Sequence, residues 1–265
     1  MGTSIVVTSG KGGVGKTTTT ANIGSALALL GKSVVLIDAD IGLRNLDVVL
    51  GLENRIVYDI VDVATGDCRL DQALIRDKRF DHLSLLPAAQ TKDKSALTVD
   101  MMKSLVMKLK EDFDFVIIDC PAGIELGFRV AVSGADRAIV VTTPETPAVR
   151  DADRVIGLLE NEGVLTPKLV VNRIRPQMVK RGEMLDIDEI VQVLAIDLLG
   201  IVPDDEAIIS NANKGEPTVI KPDSKASMAY RNIARRMLGD SVPLMVLEEQ
   251  RGLWGKFKKV FGSKS

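Results

Sequence analysis

Aromatic residues are scarce in this chain: 6 Phe, 2 Tyr and 1 Trp among 265 residues. A core without large rings has to be built from Val, Ile, Leu, Ala and Met, a composition common in parallel sheets covered on both faces. Cysteine is nearly absent. Cys68 and Cys120 show no metal-ligand spacing and fit a reducing compartment. The single histidine, His82, reads as a structural or surface residue rather than a catalyst. No run of 18 apolar residues exists, so no helix of the chain is expected to span a membrane. Neither sign of charge dominates: 34 Lys and Arg against 36 Asp and Glu leave a net charge of −2. That balance argues against a surface devoted to nucleic acid. No secretory leader or transit-like extension precedes the first apolar run, and a cytoplasmic location is expected.

What is present is a long series of short apolar runs, with 46% apolar residues overall. The length and composition suit one compact α/β domain with a substantial core. Runs rich in Val and Ile, with little alternation, predict strands at 4–8, 33–38, 83–87, 115–119, 138–142, 168–172 and 198–202. Helices are expected at 17–30, 56–64, 98–110, 125–133, 149–161, 186–194 and 224–238. This alternation predicts right-handed crossovers and a doubly wound, mostly parallel sheet of about seven to eight strands. Ligands in such sheets collect at the carboxyl ends of the strands, where every chemical motif of this chain falls.

The first motif follows the first strand. Residues 10–18 read Gly-Lys-Gly-Gly-Val-Gly-Lys-Thr-Thr and fit the phosphate-loop pattern G-x-x-x-x-G-K-[ST]. Gly10, Gly12, Gly13, Val14 and Gly15 supply a backbone that can curl its N–H groups inward at a polyphosphate. The helix that follows adds its positive end. Lys16 is expected to neutralise β- and γ-phosphate oxygens, with Thr17 holding Mg²⁺ by its hydroxyl and Thr18 completing the loop. A glycine-rich turn without a ligand is the alternative. Lys11 is an additional cation that an ordinary phosphate loop does not need. It is either a solvated loop charge or a lysine that reaches a nucleotide in another subunit.

Two further strands end in acids. The second closes on Asp38-Ala39-Asp40, followed by Ile-Gly-Leu-Arg-Asn-Leu-Asp. The pair reads either as an acidic turn or as two carboxylates facing the phosphate cleft. The strand 115–119 closes on Asp119, then Cys-Pro-Ala-Gly. A carboxylate ending a buried strand is costly unless it meets a cation or donors. A Mg²⁺-bound water or the Thr17 hydroxyl meets that need, and an N-cap of the next helix is the alternative. Gly123 gives the following segment the freedom of a second switch. The strand 168–172 ends in Val-Val-Asn-Arg, and an amide such as that of Asn172 can pair with a purine edge.

The last residues, 252–265, differ in kind. At about 100° per residue, Leu253, Trp254, Phe257, Val260 and Phe261 fall within an arc of roughly 120°. Arg251, Lys256, Lys258 and Lys259 lie outside it. Three of the nine aromatic residues are here, including the only Trp. An apolar face with aromatics and a cationic flank describes a helix lying in a bilayer interface. A C-terminal helix docked on the domain is the alternative. Gly239 and Pro243 punctuate the end of the globular part. The expected organisation is an ATPase domain over 1–240, a linker over 241–251 and an amphipathic membrane-targeting helix over 252–265.

Taken together, Lys-Gly-Gly-Val-Gly-Lys-Thr-Thr, Asp-Ala-Asp-Ile-Gly-Leu-Arg-Asn-Leu-Asp, Val-Ile-Ile-Asp-Cys-Pro-Ala-Gly, Val-Val-Asn-Arg and the basic tail resemble the MinD/ParA family of deviant Walker A ATPases. The resemblance covers essentially the whole chain, with no departure at the motif residues. It implies a P-loop NTPase fold, ATP and Mg²⁺ as cofactors, and an ATP-bound homodimer in which Lys11 touches phosphate across the interface. It implies that Asp40 orients the attacking water, that Asp38 sits in the outer shell of Mg²⁺, and that Asp119 is the Walker B acid. Residues 42–47 then occupy the first switch, Asn172 and Arg173 read adenine, and Pro203 and Asp204, with Asp205, flank the base. The segment 150–153 (Arg-Asp-Ala-Asp), expected at a helix start, belongs in the family to a partner-binding surface. The Gly-Leu-Arg-Asn-Leu-Asp string and the tail point to the members that place the division septum from the inner face of the plasma membrane. Those members imply a MinC-like division inhibitor and a MinE-like activator as partners, an anionic membrane surface, and no nucleic acid. A ParA-like DNA-partition or cargo-positioning ATPase and a flagellar-number regulator stay open as alternatives.

Overall fold

A computed structural model describes residues 1–245 of the chain. The tail residues 252–265 and the end of the expected linker lie outside the described residues. Among the described residues the strands are β1 (Thr3–Thr8), β2 (Val34–Asp38), β3 (Ile75–Arg76), β4 (Leu83–Leu86), β5 (Phe115–Asp119), β6 (Arg137–Thr142), β7 (Lys168–Ile174) and β8 (Asp197–Pro203). They form one sheet in the order β3-β4-β2-β5-β1-β6-β7-β8. Every pairing is parallel except β3 with β4. The fold is therefore the single mostly parallel α/β sheet that the alternating runs predict. The two-residue β3 is the addition, since Ile75–Arg76 is too short to leave a periodic signal.

The helices are α1 (Lys16–Leu29), α2 (Leu46–Leu50), α3 (Ile60–Thr65), α4 (Leu70–Ala73), α5 (Val99–Asp112), α6 (Leu126–Ser133), α7 (Thr146–Asn161), α8 (Pro176–Lys180), α9 (Ile187–Leu194), α10 (Glu206–Ala212) and α11 (Lys225–Met237). Their starts follow local capping chemistry. Thr98 caps α5, Asp186 caps α9 in a reciprocal box with Glu189, and Ser224 caps α11. Helix α7 starts at Thr146, with Pro147 in its first turn. Residues 150–153 therefore lie in its second turn, not at a helix start. Proline with its preset φ opens the helix three residues before the apolar periodicity becomes visible.

Apolar side chains pack on both faces of the sheet. One layer includes Val35, Ile37, Ile118 and Val140, under α5, α6 and α7. The other includes Val7, Leu36, Ile117 and Val141, under α1 and α11. Successive strand residues alternate between the layers, so both faces are apolar and the strands read as continuous runs. The first helix, α1, is almost wholly buried. Its Thr19 hydroxyl lies 3.3 Å from the buried Tyr230 hydroxyl of α11, and the Asn22 side chain accepts from Val219 N at 3.1 Å. At the far end of α11, Arg236 donates to the carbonyls of Leu199, Val242 and Pro243, and Met245 packs against the second layer.

Gly200 is where α11 comes closest to β8. A Cβ there would lie 2.3 Å from Ile233 Cγ1, inside any tolerable contact. Gly200→Ala is expected to cost about 1–3 kcal/mol of stability through overpacking. The double variant Gly200→Ala/Ile233→Val is expected to recover part of that loss. Urea unfolding of the three proteins measures both.

Candidate nucleotide and metal site

The strands β1, β2, β5, β7 and β8 are parallel members of one sheet, so their carboxyl ends lie along the same edge of it. The phosphate loop links β1 to α1. Gly13 and Gly15 take left-handed φ values of 80° and 98°, which glycine adopts without strain. The loop is held from three sides. The Ser9 hydroxyl donates to Lys11 O at 2.8 Å, Gly10 lies directly against the backbone of Asp151 on α7, and Asn172 Nδ2 donates to Val14 O at 2.8 Å. A Cβ on Gly15 would fall 2.4 Å from the same Asn172 nitrogen. Glycine at this position serves a close approach as well as a backbone angle.

Lys16 starts α1 and is 8% exposed. Lys11, five residues earlier, is exposed on the rim of the cleft. The two lysines of the loop thus occupy different environments, one buried and one exposed. Thr17 and Thr18 are half-buried behind them.

Asp38 and Asp119 end neighbouring strands in register, as Cα partners of the β2–β5 ladder. Both are buried, at 1% and 2% exposure. The Thr20 hydroxyl donates to Asp119 Oδ1 at 3.2 Å, and the Thr17 hydroxyl also hydrogen-bonds this carboxylate. Burial is the main cause that pushes Asp119 up to about 8; the Asp38 charge adds to it, and Thr17, Lys16 and Thr20 oppose it. Burial likewise raises Asp38 to about 6, against the backbone hydrogen bonds of Asp40 and Leu46. The N-cap alternative for Asp119 fails, because its partners are on α1 and α6 begins seven residues later.

The Asp38 carboxylate does more than face the cleft. Its Oδ1 accepts from Asp40 N at 2.9 Å, and its Oδ2 accepts from Asn45 N and Leu46 N at 3.1 Å each. It therefore shapes the turn that carries Asp40 and caps the start of α2. Asp40 is half-buried. Burial raises its pKa, while Lys94 and Lys16 pull it back. Within the same turn Arg44 sits at a left-handed φ of 44°, and its Nε lies 2.9 Å from Oδ2 of the buried Asp47. The expected first switch is thus an ordered turn closed at both ends by carboxylates, Asp38 and Asp47. Helix α2 escaped the sequence reading because five residues carry no helical period.

On the other side of the loop, Asn172 is 2% exposed and its Oδ1 accepts from Arg173 N at 3.0 Å. The structure engages this amide with the phosphate loop, a role that the sequence reading missed. Arg173 is exposed at a left-handed φ of 58°. Pro203 ends β8 beside Ile174, and Asp204 pairs with Arg175 Nε at 2.6 Å. Asp205 caps α10 through Ala207 N at 2.9 Å and reaches Ala226 N at 3.1 Å. His82 is exposed at the opposite end of the sheet, where its carbonyl accepts from Val34 N. Cys120 is buried, which pushes its thiol up to about 12. It is a packed residue with no thiolate chemistry.

The raised carboxylates carry a stability prediction. The folded state holds protons on Asp119 and Asp38 to about 8 and 6, where the unfolded chain releases them near 3.8. The nucleotide-free protein is therefore expected to lose stability as pH rises from about 4 to 8. Asp119→Asn is expected to flatten that slope and to stabilise the nucleotide-free protein at pH 8 by about 1–3 kcal/mol. Thermal melts across this pH range measure it.

The comparisons with known proteins agree with this geometry. The family model for the CobQ/CobB/MinD/ParA nucleotide binding domain matches residues 5–219. The chain is 65% identical to the septum site-determining protein MinD of Bacillus subtilis, with all of both chains covered. It resembles the MinD of the MinC:MinD cell division protein complex of Aquifex aeolicus at 50% identity and TM-score 0.86, covering 93% of this chain and 100% of that one. It resembles the septum site-determining protein MinD complexed with Mg-ADP from Pyrococcus horikoshii at 30% identity and TM-score 0.82, covering 91% and 100%. With the family model spanning most of its length and a full-length relative at this identity, the chain belongs to the MinD/ParA family of nucleotide-binding proteins.

Proposed function

We propose that the chain is a Mg²⁺-dependent ATPase that dimerises on ATP, holds the inner face of the plasma membrane through residues 252–265, and places the division septum by recruiting a MinC-like inhibitor. The observation that carries this reading is the division of labour between the two lysines of one loop. Lys16 is buried against the strand-end acids, whereas Lys11 is exposed on the rim.

The residues present fit ATP and Mg²⁺. Two buried carboxylates with raised pKa values beside a hydroxyl make a place where a cation lowers the electrostatic cost. Thr17 would hold the metal directly, with Asp119 and Asp38 acting through water. When bound there, magnesium would neutralise charge on the polyphosphate. The loop amides and Lys16 fix the phosphates, and Asn172 keeps the loop in that shape through Val14. Asp40, held by the Asp38 bond to its backbone, orients the attacking water; catalysis here is placement and charge stabilisation. Asn172, Arg173, Pro203 and Asp204 lie on the base side. The fit of Asn172 is narrower than the sequence suggests, because one of its N–H groups is already given to Val14.

Energetics link the nucleotide to the membrane. Each basic residue near anionic lipid contributes about 1 kcal/mol, and burial of the apolar face adds a few kcal/mol less the cost of ordering a helix. One tail of this size binds weakly and reversibly. Two tails held in one dimer gain roughly a hundredfold or more in avidity. A nucleotide that controls dimerisation then controls membrane residence. The MinC partner is supported by the Aquifex complex, and a MinE-like activator would act on the same dimer. A DNA-partition role is not favoured, since the relatives reported above are septum-site proteins.

Lys11→Ala is expected to bind Mg·ADP like the parent while losing ATP-dependent dimerisation, vesicle-stimulated hydrolysis and membrane retention. Normal hydrolysis in this variant would rule out the cross-subunit role. Phe257→Glu is expected to keep dimerisation and lose co-sedimentation with anionic vesicles. Retained co-sedimentation would exclude the tail as the anchor.

A further inference from the structure

One ion pair, between a buried carboxylate and a guanidinium at the surface, stands outside the chemistry described above. Asp77, in the turn between β3 and β4, is 3% exposed. Arg79 grips it with a planar fork, Nε to Oδ1 at 2.9 Å and Nη2 to Oδ2 at 2.6 Å. The same guanidinium donates from Nη1 to the Gly215 carbonyl at 2.6 Å and from Nη2 to the Leu50 carbonyl. One rigid group therefore joins three segments that are remote in sequence, a task for which a five-donor fork is suited. Leu50 is the last residue of α2. Gly215 follows α10. At the same point the two backbones touch: Gly51 and Gly215 have φ values of 63° and 65°, and a Cβ on Gly215 would lie 2.5 Å from Gly51 Cα.

Helix α2 has five residues, too few to be stable alone. Its position depends on what holds its ends. Asp38 accepts from the N–H groups of Asn45 and Leu46 at the start, and Arg79 donates to the Leu50 carbonyl at the end. An anion at the positive end and a cation at the negative end match the helix dipole. Between them, Leu46 and Leu50 are fully buried. This arrangement fixes the segment on which Asp40 stands.

We propose that Arg79, oriented by Asp77, is a positioning residue that ties the end of α2 to the loop at Gly215 and so sets where residues 38–47 stand relative to the triphosphate. The proposal rests on the role given above to Asp40, and its reach toward the base rests on the proposed placement of the base near Pro203 and Asp204. That reach runs through α10, since Asp205 caps one end of this helix and Gly215 lies beyond the other.

The test uses the full chain with Arg79→Met, Arg79→Lys and Asp77→Asn. Three quantities are read: steady-state ATP hydrolysis, equilibrium binding of Mg·ADP, and peptide-resolved hydrogen exchange with and without Mg·ADP. Arg79→Met is expected to lower kcat about tenfold or more by misplacing the catalytic segment. Mg·ADP affinity is expected to stay at the parent value, because the loop, Lys16 and Thr17 are untouched. Exchange across residues 39–50 is expected to quicken in the ADP-bound variant while α1 stays protected. Arg79→Lys is expected to recover part of kcat by keeping a cation near one carbonyl. A parent-like kcat per folded molecule with parent-like exchange at 39–50 overturns the proposal, even if the melting temperature falls. Should Arg79→Met fail to fold, Arg79→Lys and Asp77→Asn make the same comparison. If Mg·ADP leaves residues 203–213 of the parent unprotected, the base placement fails by itself, and the tie is judged on exchange at 39–50.

Discussion

The site depends on burying charge of both signs where three segments meet. Lys16, Asp38 and Asp119 are each more than nine-tenths buried, in a sheet whose two faces are mostly apolar. Neutral side chains of the same size would be less costly for folding. Protonation and hydroxyl partners reduce the cost in the free protein, which is why burial raises both carboxylates. The free site is therefore tuned for a cation and a polyphosphate, and it is poor for anything apolar.

Geometry then distributes that electrostatic tension. The β2–β5 register puts Asp38 and Asp119 side by side, yet their partners lead in opposite directions. Asp119 is tied to α1 through Thr20, and Asp38 is tied to the turn through Asp40, Asn45 and Leu46. A change of charge at the strand ends thus reaches the helix behind the phosphate loop and the segment in front of it. Asn172 closes the third side by holding Val14. The loop shape is set by its neighbours as much as by its own glycines.

The strands were legible because parallel sheets covered on both faces need continuous Val and Ile runs, as in 34–37 and 116–118. The phosphate loop and the two strand-end acids were legible because their chemistry requires fixed spacing. Helices α2, α4, α8 and α10 and the strand β3 were not, since segments this short carry little period. Helix α7 begins three residues before its apolar period, because its opening turn is marked by a proline rather than by apolar spacing. The grip of Asn172 on Val14 and of Arg79 on Leu50 and Gly215 spans sequence distances that no local pattern encodes.

The central claim is that buried Asp119, with the Asp38 charge beside it, holds a proton near neutral pH until magnesium and nucleotide arrive. Calorimetric titration of the protein with Mg·ADP near neutral pH, repeated in buffers of different ionisation enthalpy, measures the protons exchanged. The account predicts net proton release on binding, reduced when Asp119 is replaced by Asn. Binding with no proton release, identical in the parent and in Asp119→Asn, would contradict it.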